Sequence, residues 1–141
     1  MLWSPAIAHA WRRRVDRATC GVVSSFRIAP ILPVVDLEKA LAHYQLLGFG
    51  TRAYPGGGYG FATRDGIELH LGVVEDASAH HGSAYLFVDD ADALAAAWRS
   101  AGVEVHQPVD TDWGMHEGAV VDPDGNVIRF GSPIADPPAA P

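Results

Sequence analysis

Residues 34–49 read Val-Val-Asp-Leu-Glu-Lys-Ala-Leu-Ala-His-Tyr-Gln-Leu-Leu-Gly-Phe, and most of the expected architecture follows from this stretch. Asp36 is a good helix cap because its carboxylate can accept a hydrogen bond from the free backbone N–H groups of the first turn. Gly48 suits the left-handed residue that ends many helices. Between these two residues the apolar side chains recur with the 3.6-residue period of a helix, at Leu37, Ala40, Leu41, Tyr44 and Leu47.

The same order of landmarks occurs a second time along the chain. The landmarks Val35-Asp36, Leu47-Gly48-Phe49 and Arg64-Asp65-Gly66 have counterparts at similar offsets in Val88-Asp89, Ala101-Gly102-Val103 and Pro123-Asp124-Gly125. Matching offsets at three places indicate an internal repeat. In the second repeat Asp89 or Asp90 can cap the helix, and Gly102 can end it.

Each repeat is predicted to form one βαβββ unit. The predicted strands are 28–34, 49–54, 58–64 and 67–74 in the first unit, and 84–88, 103–108, 116–122 and 126–131 in the second. A doubly wound sheet would need a helix after every strand, whereas only two helices are predicted. We therefore expect an α+β fold with one domain over 24–132, in which two βαβββ modules (26–75 and 82–132) form a curved sheet that lines a cleft.

Composition narrows the class of protein. The chain has 141 residues, 48% of them apolar, with a single Cys and a formal net charge of −7. One Cys excludes a disulfide framework and a multi-Cys zinc site, and it fits the reducing cytoplasm. A span of 18 apolar residues is absent from the sequence, so a membrane helix is not expected.

Charge is unevenly distributed between the N-terminal arm and the rest of the chain. Arg12, Arg13, Arg14 and Arg17 are four of the ten bases, which leaves 16 acids and 6 bases from residue 24 onward. Such an acidic body repels nucleic acid and anionic membranes and attracts small cations. Residues 1–23 are expected to be a poorly ordered arm or a short helix, and 133–141 a disordered tail.

The helix starts, together with the motif Asp122-Pro123-Asp124-Gly125-Asn126 before the last strand, resemble the vicinal oxygen chelate superfamily. This superfamily contains glyoxalases, extradiol dioxygenases, fosfomycin-resistance enzymes and bleomycin-resistance proteins. The resemblance implies paired βαβββ modules around a cleft. In the enzymes of the superfamily, His or Glu side chains from four strands hold a divalent metal ion.

The four metal-ligand positions implied by the resemblance fall at Ala29, Glu68, Ser83 and Arg129. Only Glu68 carries a suitable group, because alanine has no donor atom and arginine keeps a positive charge that repels a cation. A catalytic metal site needs about three protein ligands. We therefore expect no metal, no cofactor and no catalytic residue in this chain.

Other motifs resemble the bleomycin-resistance branch in particular. Trp113-Gly114 precedes Glu117 and the Asp-Pro turn, and Pro30 stands where that branch carries a proline of its first strand. Tyr59 falls where the branch places an aromatic ring. The resemblance implies that Tyr59 and Trp113 sandwich a flat heteroaromatic group of a drug, in a cleft between the two subunits of a homodimer.

Alternation along the predicted strands adds further candidates for the cleft. Phe61 points to the same side as Tyr59, and Glu68 shares a face with His70, where the pair can bind a ligand or act as acid and base. His116 and Glu117 point to opposite faces. Arg129 is expected to pair with Glu68 or with another inward carboxylate. The predicted ligand-binding residues are Tyr59, Phe61, Glu68, His70, Trp113, Gly114, Glu117 and Arg129.

The sequence therefore favours a binding protein over an enzyme. The predicted function is metal-independent binding and sequestration of a drug-like molecule, such as the cationic aromatic bleomycin, in a cytoplasmic homodimer. One alternative is a metal-dependent lyase, isomerase or dioxygenase with a rearranged site at Glu68, His70 and His116. A second alternative is an immunity or regulatory protein that binds no small molecule.

Overall fold

A computed structural model describes residues 26–134 of the chain. Its elements in chain order are β1 (Ile31–Val34), α1 (Leu37–Leu46), β2 (Gly50–Ala53), β3 (Tyr59–Arg64), β4 (Ile67–Val73), β5 (Ser83–Phe87), α2 (Ala91–Ser100), β6 (His106–Asp110), β7 (Met115–Val121) and β8 (Val127–Pro133). The predicted α+β fold with two βαβββ modules is confirmed.

The two modules have the same topology. The first module forms a four-stranded sheet in the order β1-β4-β3-β2, and the second forms a sheet in the order β5-β8-β7-β6. In each sheet the first strand of the module runs parallel to the last strand, and the other pairs are antiparallel.

Both helices begin and end as their sequences predict. The Asp36 carboxylate accepts a hydrogen bond from the Lys39 backbone N–H at 3.1 Å. Of the two candidate caps of α2, Asp90 is the one that accepts from the backbone, at 2.9 Å from the nitrogen of Ala93. Gly48 and Gly102 follow the helix ends with φ of 86° and 91°, values that glycine adopts without strain.

Each helix covers one face of its own sheet, and the covered faces meet in one core. The indole Nε1 of Trp98 on α2 donates to the backbone oxygen of Leu47, at 2.9 Å, so the second module is joined directly to the first. The large buried side chains of this core are Leu32, Val34, Tyr44, Leu47, Phe49, Leu69, Leu71, Trp98, Val120, Ile128 and Phe130. The two modules therefore share one hydrophobic core over the described residues.

The Asp122–Asn126 turn also joins the modules. Tyr44 on α1 donates its hydroxyl hydrogen to Asp122 Oδ2 at 2.9 Å. The Asn126 side-chain amide donates to the Pro33 carbonyl at 2.8 Å and accepts from the Gly82 backbone N–H at 2.7 Å. Since Asn126 is fully buried, these backbone groups depend on it for their hydrogen bonds.

The structure corrects some predicted boundaries. The strand predicted near 103–108 is present, but it begins only at His106 and ends at Asp110, because the Val103 N–H still donates to the Trp98 carbonyl at the end of α2. β8 extends to Pro133, the first residue of the predicted tail, and the Ile134 N–H donates to Gly114 O. The predicted arm at 1–23 and residues 135–141 of the predicted tail lie outside the described residues.

No helix within residues 26–134 is long and apolar enough to cross a membrane.

Replacing Asn126 with Ala should lower the free energy of unfolding by about 3 kcal/mol, because it leaves the partly buried Pro33 carbonyl and Gly82 N–H without their hydrogen-bond partner. Urea denaturation followed by circular dichroism measures this loss. Asp124→Asn is the matched control, since it keeps an acceptor oxygen for the exposed hydrogen bond from Val35 N. Equal losses in the two variants would show that Asn126 does not join the modules.

Candidate functional site

Each sheet has a second face, which neither α1 nor α2 covers; we call these the first and second open faces. Cross-strand register defines them, because residues directly opposite each other share a face. On the first sheet one row across the strands is Arg52, Phe61, His70 and Ile31. On the second sheet one row is Phe87, Gly131, Glu117 and Val109.

A chain of hydrogen bonds runs through the first open face. Tyr59 Oη lies 2.8 Å from His70 Nδ1, and His70 Nε2 lies 2.7 Å from Glu68 Oε1. The His70 and Glu68 side chains are 8% and 15% exposed, so these hydrogen bonds are mostly buried. Burial, and then the charge of Glu68, raise the pKa of Tyr59 to about 12, which keeps its hydroxyl protonated at neutral pH.

Aromatic side chains pack around these hydrogen bonds. The rings of Tyr59, Phe61 and His70 meet edge to face, with centroid distances of 5.0–5.5 Å. The Arg52 guanidinium carbon lies 4.0 Å from the centroid of Phe61, in a cation–π contact. The structure thus brings four of the predicted site residues together, namely Tyr59, Phe61, Glu68 and His70. Tyr59 is only 5% exposed, so the single chain presents little of its ring.

The second open face carries an ion pair. Arg129 Nη1 lies 3.0 Å from Glu117 Oε1, and the Glu117 side chain is only 9% exposed. The inward carboxylate that pairs with Arg129 is thus Glu117, not Glu68. Burial and then Glu117 raise the pKa of the neighbouring Tyr85. The Tyr85 hydroxyl lies over Gly131, where a Cβ would collide with it.

Sequence reasoning missed three residues of the open faces, Arg52, Tyr85 and Phe87. Tyr85 and Phe87 alternate with core residues along β5, with ring centroids 4.9 Å apart. The period-two pattern of residues 83–87 was the available signal, but an apolar run of this length equally fits a strand buried on both faces. For Arg52 the sequence indicated only a position in a short strand, which does not predict a place in the site.

Trp113 lies in the turn between β6 and β7 and is 68% exposed. The Thr111 hydroxyl and backbone N–H both bond the Met115 carbonyl, and Gly114 adopts φ 84°, so the turn is well defined. Among the ring contacts of residues 26–134, none joins Trp113 to Tyr59. The two predicted clamp residues therefore do not meet within one chain.

His116 lies on the helix-covered side of the second sheet, opposite in direction to Glu117, as strand alternation predicts. Its Nδ1 is 2.7 Å from Asp110 Oδ1 and its Nε2 is 2.9 Å from Asp92 Oδ1. These hydrogen bonds, first to Asp92 and then to Asp110, raise the pKa of His116 above its ordinary value. His116 thus connects the start of α2 to the end of β6, beside the Trp113 turn.

Comparison with known proteins identifies the family. The Glyoxalase/Bleomycin resistance protein/Dioxygenase superfamily matches residues 27–130, and the chain belongs to this superfamily. A bleomycin resistance protein of Klebsiella pneumoniae is 30% identical over 113 residues, which are 72% of this chain and 87% of that protein.

Two solved structures agree with this assignment. The bleomycin resistance determinant encoded on transposon Tn5 is 27% identical, with a TM-score of 0.70 over 77% of this chain and 98% of its own. The bleomycin-binding protein of bleomycin-producing Streptomyces verticillus, solved with copper(II)-bleomycin, is 26% identical, with a TM-score of 0.68 over 79% of this chain and 98% of its own.

The metal of the enzymes in this superfamily does not fit the residues at the four corresponding positions. Glu68 already bonds an imidazole, and Arg129 brings a guanidinium paired to a carboxylate. Ala29 and Ser83 supply no His, Cys or carboxylate ligand. Within residues 26–134 no group of three or more His, Cys, Asp or Glu is arranged to hold a metal ion, including Glu68, His70 and His116.

The pKa of His116 predicts a pH dependence of stability. A histidine pKa that is raised by folding adds stability below its unfolded pKa of 6.5, and this stability is lost as pH rises through the folded pKa. The melting temperature of the wild type should therefore exceed that of His116→Gln by about 2 °C near pH 6, and the difference should vanish by about pH 9.

Thermal denaturation at a series of pH values measures this difference. Asp110→Asn removes one of the two carboxylates and should show an intermediate dependence on pH. A difference between wild type and His116→Gln that stays constant with pH would contradict the role of the charged imidazole.

Proposed function

We propose that this protein binds and sequesters a flat, cationic, drug-like molecule of the bleomycin type, without a metal ion and without chemical change to the molecule. One observation carries the proposal. On each open face the polar groups pair within that face, Glu68 with His70 on the first and Arg129 with Glu117 on the second, and aromatic side chains lie beside each pair. Such surfaces favour holding a ligand over polarising or attacking it.

The relatives support the class of ligand. A relative that is 30% identical over 87% of its length is a bleomycin resistance protein, and a structure of similar fold holds copper(II)-bleomycin. A fold alone does not imply a function, but here the same fold comes with the loss of the metal-binding donors.

Charge around Trp113 supports a cationic ligand. The indole is exposed, and two exposed carboxylates precede it, Asp110 at the end of β6 and Asp112 in the turn. An aromatic face beside carboxylates attracts a flat cation through both cation–π and ionic interaction. The acidic body of the chain, with 16 acids against 6 bases from residue 24 onward, raises the rate of encounter with such a cation.

A homodimer completes the proposed site. The second open face exposes 82% of Phe87, 61% of Val109 and 42% of Val121 to solvent in the single chain. We infer that a second copy covers this apolar surface, and that the Trp113 turn of one subunit lies near the Tyr59 region of the other.

Titration with metal-free bleomycin tests this function. Tryptophan fluorescence should change and saturate at one drug per chain in the presence of a chelator, and mass spectrometry should recover the drug unaltered. Binding that needs an added divalent metal, or a chemically changed drug, would contradict the proposal and favour the metal-dependent enzyme.

Trp113→Ala should weaken bleomycin binding by about 2 kcal/mol, because a central aromatic anchor contributes that much or more to an interface. Isothermal titration calorimetry measures the change. Leu46→Ala is the control, since it also removes a half-exposed apolar side chain but from the outer side of α1. An unchanged affinity in Trp113→Ala would remove this residue from the site.

Phe87→Asp should convert the protein to a monomer, because it places a charge in the centre of the apolar surface that the second copy covers. Sedimentation equilibrium gives the mass in solution. Leu46→Asp adds the same charge to an exposed apolar position outside this surface and should stay dimeric. A monomeric wild type, or a dimeric Phe87→Asp variant, would show that the second open face is not the interface.

A further inference from the structure

The hydrogen bonds of His70 determine where its proton lies. Both ring nitrogens have partners, Tyr59 Oη on Nδ1 and Glu68 Oε1 on Nε2. A neutral imidazole has one N–H, and a carboxylate only accepts. In the neutral form of the ring the hydrogen therefore sits on Nε2 and is donated to Glu68, and Nδ1 has the lone pair that accepts the hydroxyl hydrogen of Tyr59.

Packing fixes the rings that carry this hydrogen bond. The imidazole lies edge to face against both Phe61 and Tyr59, and all three side chains are at most 8% exposed. A hydroxyl that has donated its one hydrogen inward keeps only acceptor capacity on its oxygen. The negative charge of Glu68 also favours donation from Tyr59 to His70 and from His70 to Glu68, since hydrogen bonds in a row strengthen one another.

We propose that Glu68 and His70 are positioning residues that act through Tyr59, and that they make its hydroxyl an acceptor which selects ligand groups carrying an N–H or O–H donor. This inference rests on the proposed function and deepens it. At this point of the cleft an amine, amide or guanidine group is accepted, and a carboxylate is rejected, because two acceptors face each other without a hydrogen between them.

Direct contact of His70 with the ligand is the competing role, and the chain offers variants that separate the two. Tyr59→Phe removes the hydroxyl and keeps the ring. His70→Phe keeps an aromatic ring between Tyr59 and Phe61 and removes the acceptor nitrogen. If His70 works only through the Tyr59 hydroxyl, its replacement has no further effect once that hydroxyl is gone.

The first arm of the experiment needs no ligand, and its deciding measurement is made on the wild type. Long-range proton–nitrogen spectra of the ¹⁵N-labelled wild type near neutral pH should show His70 with hydrogen on Nε2 and none on Nδ1. Glu68→Gln should keep this tautomer, because its amide oxygen still accepts from Nε2–H. Hydrogen on Nδ1, or on both nitrogens, in the wild type would overturn the inference.

The second arm is a double-mutant cycle with metal-free bleomycin as the probe. Tyr59→Phe and His70→Phe should each weaken binding about tenfold, and the double variant should be within about twofold of either. An equal loss on replacing His70 in both backgrounds would show direct contact and overturn the positioning role.

The two arms separate failure of this inference from failure of the proposed function. Absence of bleomycin binding by a wild type that shows the Nε2–H tautomer would contradict the proposed function and support the proton placement. Saturable bleomycin binding by a wild type with hydrogen on Nδ1 would support the proposed function and overturn the inference.

Discussion

The buried carboxylate of Asp122 is the group on which the arrangement of the two modules depends. It is 4% exposed and accepts from the Tyr44 hydroxyl, from the Asn126 side chain, and from the backbone N–H groups of Asp124 and Asn126, all at 2.8–2.9 Å. An unpaired buried charge would be very unfavourable, so these four donors must be present together. Burial and Asp122 raise the pKa of Tyr44, which therefore stays protonated as a donor. The last turn of the second module is thus fixed to the helix of the first. This contact sets the position of one open face relative to the other.

Local chemistry explains how far the fold could be predicted from the sequence. Helix caps, helix ends and the Asp65-Gly66 turn, with φ of 48° and 82°, depend on neighbouring residues and were predicted correctly. The role of Asp122 was not predicted, because its bond to Tyr44 joins positions 78 residues apart. The start of β6 was missed for a similar reason. The apolar pattern at Val103 and Val105 reflects packing after a helix end, not pairing in a sheet.

Strand alternation predicted which side chains of the candidate site share a face, but not which of them form hydrogen bonds across strands. Alternation placed Glu68 beside His70 and separated His116 from Glu117, and the structure agrees. The hydrogen bond between Tyr59 and His70 depends on the register between β3 and β4, and the sequence of neither strand predicts that register. The pairing of Arg129 with Glu117 depends in the same way on β7 and β8. No ring contact among residues 26–134 joins Tyr59 to Trp113, so the predicted contact between them requires a second chain.

The close approach of Tyr85 to Gly131 couples these two positions in evolution. Any residue other than glycine at 131 adds a Cβ that the Tyr85 hydroxyl excludes, so a first mutation there pushes the ring out of the second open face. A change at 85 to a shorter side chain removes the conflict and can come first. A side chain at 131 and the present position of the Tyr85 ring therefore exclude each other, and one of the two has to change when the other does.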